Sequence, residues 1–190
     1  MKYENTAVIV VDMQNSFAYE DGSLYAPPSE NVIGDIEEFV QEMRTRGSPI
    51  IFTKDTHTDE QFEDLDHYDE FERWGEHAVR GTFEHEIVDG LTVTENDRVI
   101  EKSTYDAFHN TSLEGELTNR GVENVIVVGT LANVCVLHTA SSAALNDYNT
   151  IVVEDLVGYI EESDKEYALE HVDWLFGTVL STDQVRERLE

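Results

Sequence analysis

Thr6-Ala7-Val8-Ile9-Val10-Val11-Asp12 opens the chain with an apolar run of strand length that stops at a carboxylate. It shows no alternation of apolar and polar residues, so both of its faces are expected to be covered, as in a parallel sheet flanked by helices. Outward from it the pattern recurs. Pro49-Ile50-Ile51-Phe52-Thr53 ends near Asp55, Arg98-Val99-Ile100-Glu101 ends at Lys102, and Val125-Ile126-Val127-Val128 ends at Gly129. Two shorter runs follow, Ile151-Val152-Val153 and Thr178-Val179-Leu180. Segments of helical period separate them. One spans 29–47, with Ser29 as its cap and Val32, Ile33, Ile36, Phe39, Val40 and Met43 on its apolar face. Another opens on the capping box Thr111-Ser112-Leu113-Glu114 and stops at Gly121; others cover about 133–146 and 167–175. This alternation predicts a single α/β domain over residues 1–190, three-layered and Rossmann-like, with a six-stranded parallel sheet. Only 55–86 breaks the rhythm: it is polar, aromatic and rich in histidine, and reads as a long functional loop.

Composition narrows the partners. The chain carries 41 acidic against 12 basic residues, a formal charge of -29, so nucleic acid and anionic membranes are excluded as partners. With 40% hydrophobic residues the chain is nevertheless expected to fold. No apolar stretch approaches the roughly 20 residues that span a bilayer, and the N-terminus lacks the pattern of a signal peptide, so a cytoplasmic protein is expected. Four lysines, Lys2, Lys54, Lys102 and Lys165, among so many carboxylates predict adaptation to molar salt. A homo-oligomer, dimer or tetramer, is expected. Cys135 is the single cysteine, which excludes an intramolecular disulfide and a cysteine-rich zinc site.

In open parallel sheets ligands bind beyond the carboxyl ends of the strands. Asp12, Asp55, His57, Lys102 and Cys135 all fall at such ends. A lone cysteine is commonly a small buried hydrophobe, but the shared placement favours a nucleophile. Cys135 should stand in the first turn of a crossover helix, where backbone N–H groups are expected to lower its pKa and to bind an oxyanion. Asp12 can carry the proton and Lys102 can hold that carboxylate ionised. His138, one turn past Cys135, reads as a packing residue. Asp55, His57 and His77 form a mixed N/O set that suits one divalent transition-metal ion, zinc first and iron or manganese as alternatives; the competing reading is three solvated loop residues. His67 and His85 read as surface residues.

The chain resembles the isochorismatase-like hydrolase superfamily, in particular its cysteine amidases and nicotinamidases. The resemblance rests on five pieces in order: Val10-Val11-Asp12-Met13-Gln14-Asn15 with Phe17, then Thr53-Lys54-Asp55-Thr56-His57, Trp74 to Thr82, Lys102 to Phe108, and Gly129 to Val136. It implies the isochorismatase-like hydrolase fold and an Asp12–Lys102–Cys135 triad that cleaves a small primary amide through a thioester. It also implies a cis peptide at Thr130-Leu131, with the amides of Leu131 and Cys135 as oxyanion hole. Asp55, His57 and His77 match metal ligands, and Glu70 matches a further carboxylate ligand of some members. Phe17 and Trp74 match a pair that sandwiches a flat ring, and Tyr105 and Phe108 lie beside them as further substrate contacts. Nicotinamide is the leading substrate; another small amide, an N-carbamoyl or a ureido compound is the alternative. A catalytically inactive ligand-binding member of the fold is the rival class. Two positions depart from nicotinamidases, which commonly have Cys after the metal histidine and an acid followed by Tyr before the nucleophile. Here Ala78 and Asn133-Val134 stand in those places.

Overall fold

The structure is a computed structural model that describes residues 1–63 and 69–189, and for Glu4, Glu63, Asp69, Glu70 and Phe71 the backbone alone. Six strands, β1 (Thr6–Val11), β2 (Ile50–Asp55), β3 (Arg98–Lys102), β4 (Asn124–Gly129), β5 (Asn149–Val157) and β6 (Thr178–Leu180), form one parallel sheet in the order β3-β2-β1-β4-β5-β6. Successive residues of a strand point to opposite faces, and β1 feeds two cores. Val8 and Val10 pack with Ile36, Phe39 and Met43 of α3 (Ile33–Thr45) and with Val185 of α9 (Thr182–Arg188). Ala7, Ile9 and Val11 pack with Leu113 and Leu117 of α6 (Leu113–Asn119), Ala140 of α7 (Leu137–Leu145) and Val172 of α8 (Glu162–Leu175). Burial on both faces is why the run carries no polar alternation.

The sheet order reverses direction between β1 and β4, and a crevice opens at the carboxyl ends of adjacent strands at such a switch point. Gly129 makes the close approach possible. It pairs with Val11 at φ +108°, and a Cβ there would lie 2.2 Å from the Val11 carbonyl oxygen. No helix among the described residues is long and apolar enough to cross a membrane.

Several local expectations are corrected. Ser29 caps nothing; it is buried within α2 (Pro27–Asn31), which follows the short α1 (Asn15–Ala18), and its hydroxyl pairs with that of Thr130 at 2.6 Å. The box at Thr111 does not close. Ser112 is the cap residue of α6 without a side-chain bond, and the Thr111 hydroxyl donates back to Ala107 O. A complete capping box stands instead at Ser181 and Gln184, opening α9. The 55–86 stretch is no continuous loop, since it holds α4 (Asp59–Glu63), α5 (Asp69–Trp74) and a short 3-10 turn, Phe83–His85. Cys135 lies in a π-helical turn, Ala132–Val136, that precedes α7.

Candidate active site

Three strand ends deliver Asp12, Lys102 and Cys135 to one buried point. Lys102 Nζ stands 2.6 Å from Asp12 Oδ2, 3.6 Å from Cys135 Sγ and 3.6 Å from Asp55 Oδ1, and donates to Thr104 O at 2.9 Å. The Thr53 hydroxyl donates to Asp12 Oδ1 at 2.6 Å and accepts from the Asp12 N–H at 3.1 Å, fixing the carboxylate's orientation.

Two carboxylates share this one ammonium, and their environments drive them apart. Burial pushes the Asp12 carboxyl above its ordinary value, and the pull of Lys102 only partly offsets it. Asp55 is also buried, but Lys102 together with hydrogen bonding from His57 and His77 prevails, and its carboxyl is held far below the usual range. Burial alone would depress Lys102; Asp12, Asp55 and Cys135 outweigh it, so the side chain stays an ammonium. Cys135 corrects the expectation of a lowered pKa. Burial pushes its thiol well above the ordinary value, Lys102 opposes this, and Asp12 and Asp55 add to it. The raised pKa favours the thiol form, with Lys102 Nζ 3.6 Å from its sulfur and 2.6 Å from the Asp12 carboxyl.

Cys135 opens onto a cavity of about 240 Å³. Phe17, Trp74 and Tyr105 line it as expected, with Leu131, His77 and Asp55. Phe108 does not belong to its wall; it is half-buried against Tyr148, with ring centroids 6.1 Å apart. Ser23, Leu24, Tyr25 and Ile160, which were not anticipated, complete the lining with Val134. The Thr130-Leu131 peptide is cis. Among the described residues no acceptor takes the Leu131 N–H.

Asp55 and His77 of the cavity wall, with His57, place one ligand atom each within 4.8 Å of one another, all buried. His57 Nε2 and His77 Nε2 stand 3.2 and 3.6 Å from the same Asp55 Oδ2. His77 Nδ1 lies 2.7 Å from Gly75 O, which can only accept, and this outer contact orients the ring with Nε2 toward Asp55. Asp55 Oδ1 is buried without a hydrogen-bond donor. Two imidazoles and a carboxylate gathered at one buried point are the donor types that such an ion takes, so these residues fit a divalent transition metal. The side chain of Glu70, and all of His67, lie outside the described residues. His85 is no surface residue: it is buried, 2.9 Å from the Thr56 hydroxyl. His138 is exposed, with Nδ1 bound to Val134 O and its ring against Tyr105.

The isochorismatase domain model matches residues 6–184. The chain belongs to the isochorismatase family. This isochorismatase-family hydrolase is 30% identical to Nicotinamidase 3 of Arabidopsis thaliana over 187 residues, covering 96% of this chain and 88% of that protein. It is 28% identical to the ureidoacrylate amidohydrolase RutB of Pseudomonas syringae over 205 residues, covering 96% and 83%. Among solved structures it superposes on the pyrazinamidase of Pyrococcus horikoshii in complex with zinc at a TM-score of 0.84 and 27% identity, covering 93% of this chain and 99% of that one.

Proposed function

We propose that this hydrolase is a cysteine amidase acting on a small, flat, uncharged primary amide, nicotinamide foremost. The observation that carries the reading is a thiol on the wall of an aromatic cavity with a proton-accepting carboxylate and an ammonium directly behind it. Asp12 takes the thiol proton as Sγ adds to the amide carbon. The carbonyl oxygen gains the charge and is met by the N–H groups of Leu131 and Cys135. Asp12 then gives its proton to the nitrogen, the C–N bond breaks and ammonia leaves. In the second half Asp12 takes a proton from water, the resulting hydroxide adds to the thioester, and the C–S bond breaks as the proton returns to sulfur. Lys102 keeps Asp12 in its basic form between transfers.

Asp55, His57 and His77 would hold a divalent ion, zinc first, which supplies a Lewis-acid contact for a ring nitrogen when bound. Phe17 and Trp74 would flank the ring. A ureido or N-carbamoyl acid is the alternative: its carboxylate would meet no Lys or Arg side chain on this wall among the described residues, so its charge would depend on the ion for a partner. The test is a screen of purified protein against nicotinamide, pyrazinamide, benzamide and carbamoyl acids. Nicotinamide and pyrazinamide should turn over. Benzamide keeps the shape but lacks the ring nitrogen, and its kcat/KM should be lower by at least about tenfold, the ratio that roughly 1.4 kcal/mol of lost contact gives. Turnover of a carbamoyl acid with nicotinamide inert would refute the substrate and leave the amidase.

Two further outcomes follow. Purified protein should carry about one transition-metal ion per chain, and His57→Ala with His77→Ala should lose it, because two of the three donors go. Elemental analysis that finds no metal, with none restored by addition, rejects the ion. The charge of -29 also motivates a salt adaptation. The thermal midpoint should rise between about 0.1 M and 3 M KCl as the screening length falls from roughly 10 Å to below 3 Å; a constant midpoint counts against it.

A further inference from the structure

Gln14 is fully buried two residues after Asp12, and the chemistry above gives it no part. Its side-chain amide behaves as a short piece of strand. Nε2 donates to Asp55 O at 2.9 Å and to His85 O at 3.0 Å, and Oε1 accepts from the Asp55 N–H at 2.7 Å. The paired residues of β1 and β2 run only to Val10 and Phe52, so Asp55 lies three residues past the last backbone pair on that side. On its other side it is paired with Lys102 of β3. The Gln14 amide thus takes up both backbone polar groups of Asp55 where β1 has turned away into the active-site loop.

The clamp reaches a third segment as well. The backbone of Gln14 bridges antiparallel to Ile87, Asn15 N–H donates to Glu86 O at 2.9 Å, and Val88 N–H donates to Met13 O at 3.0 Å. His85, whose carbonyl accepts from Gln14, is itself tied to Thr56 beside Asp55. One amide, with its donors and its acceptor in use, therefore holds the strand end of Asp12, the strand end of Asp55 and the segment that follows His77 in fixed relation.

We propose that Gln14 is a positioning residue for the metal site: it fixes the Asp55 backbone so that Oδ2 meets His57 Nε2 and His77 Nε2 together. The inference rests on the metal reading above. Outer-shell partners of this kind typically change metal affinity by about 10- to 100-fold when removed. Gln14→Met keeps much of the volume and removes all three hydrogen bonds. Gln14→Glu sets a carboxylate oxygen against two carbonyl oxygens.

The experiment is a zinc titration of wild type and both variants by calorimetry, with thermal midpoints measured with and without zinc. The expected result is a zinc dissociation constant about 10- to 100-fold higher in each variant, and a smaller zinc-induced rise in midpoint. A purely structural role would lower both midpoints together and leave the zinc-induced rise and the dissociation constant intact, and that result overturns the inference while the metal reading stands. Wild type without zinc affinity overturns both. Should neither variant fold, the wild-type chain labelled with ¹⁵N decides. Addition of zinc should shift the Gln14 side-chain amide resonances together with the Asp55 backbone amide; a Gln14 signal that stays in place while His77 responds overturns the inference.

Discussion

Cys135→Ala is expected to abolish amide turnover while the protein keeps its fold and still binds its substrate. The thioester needs sulfur, and neither Asp12 nor Lys102 can replace it as nucleophile. In enzymes whose nucleophile, base and orienting group act as a unit, removal of the nucleophile costs on the order of 10⁴-fold or more, and the remaining rate comes from binding and oxyanion stabilisation alone. The fold should survive because the change removes a single buried sulfur from a small side chain, a cost of about 1 kcal/mol. Binding should survive because the aromatic wall and the Leu131 amide are untouched. Cys135→Ser separates acidity from geometry: the hydroxyl occupies the same place but yields its proton far less readily to Asp12, so it should also be close to inactive. The measurements are steady-state turnover and calorimetric titration with nicotinamide on the same preparations. Substantial turnover by a verified Cys135→Ala preparation eliminates the covalent route. Loss of folding would mean that the cysteine is structural.

The fold could be read largely because the strands are buried on both faces. A run such as Val8-Ile9-Val10-Val11 is short enough for a strand and too uniformly apolar for an exposed face, and the first three runs end where Asp12, Asp55 and Lys102 begin. The candidate site was legible to the same depth, since a strand end fixes position without any knowledge of side-chain packing. What sequence did not disclose depends on contacts between distant segments. The burial of His85 depends on Thr56, 29 residues away. Ile160 carries no chemistry, and only the path of the chain out of β5 sets it on the cavity wall. Phe108 is close in sequence to the Tyr105 that lines the cavity, yet it turns away. Asp106 accepts from the Phe108 N–H and from the Ser142 hydroxyl, and this anchors the turn against α7. The thiol's acidity departs from the helix-start expectation for a similar reason. A helix start predicts a lowered pKa only when the sulfur is solvated or faces net positive charge, whereas here burial dominates and two carboxylates share the single ammonium.

Lys102→Met should cost both activity and stability, with a pH dependence that identifies the cause. The ammonium it removes is fully buried between Asp12 and Asp55. Breaking a buried pair by deleting one partner typically destabilises by about 3–5 kcal/mol, because the remaining charge has lost its compensation. Asp12 can escape that cost by holding a proton, so its carboxyl in the folded variant should rise further above the ordinary value that burial already makes it exceed. A carboxyl whose folded pKa lies above its unfolded one binds more protons in the native state, so stability falls as pH rises. The variant should therefore be nearest to wild type below the unfolded value of about 4, and its deficit should grow until pH has passed the raised folded value. Activity should follow the opposite course for the same reason. At neutral pH Asp12 would be protonated and unable to accept the thiol proton, a loss of at least about 100-fold, and part of the rate should return as alkaline pH removes that proton. Thermal midpoints and kcat/KM measured across pH 4 to 9 on wild type and variant provide the check, a range set by the ordinary values of carboxyl and thiol at about 4 and 8.5. A deficit that does not vary with pH would show that Lys102 acts by packing, and a kcat/KM equal to wild type at neutral pH would remove it from the catalytic group.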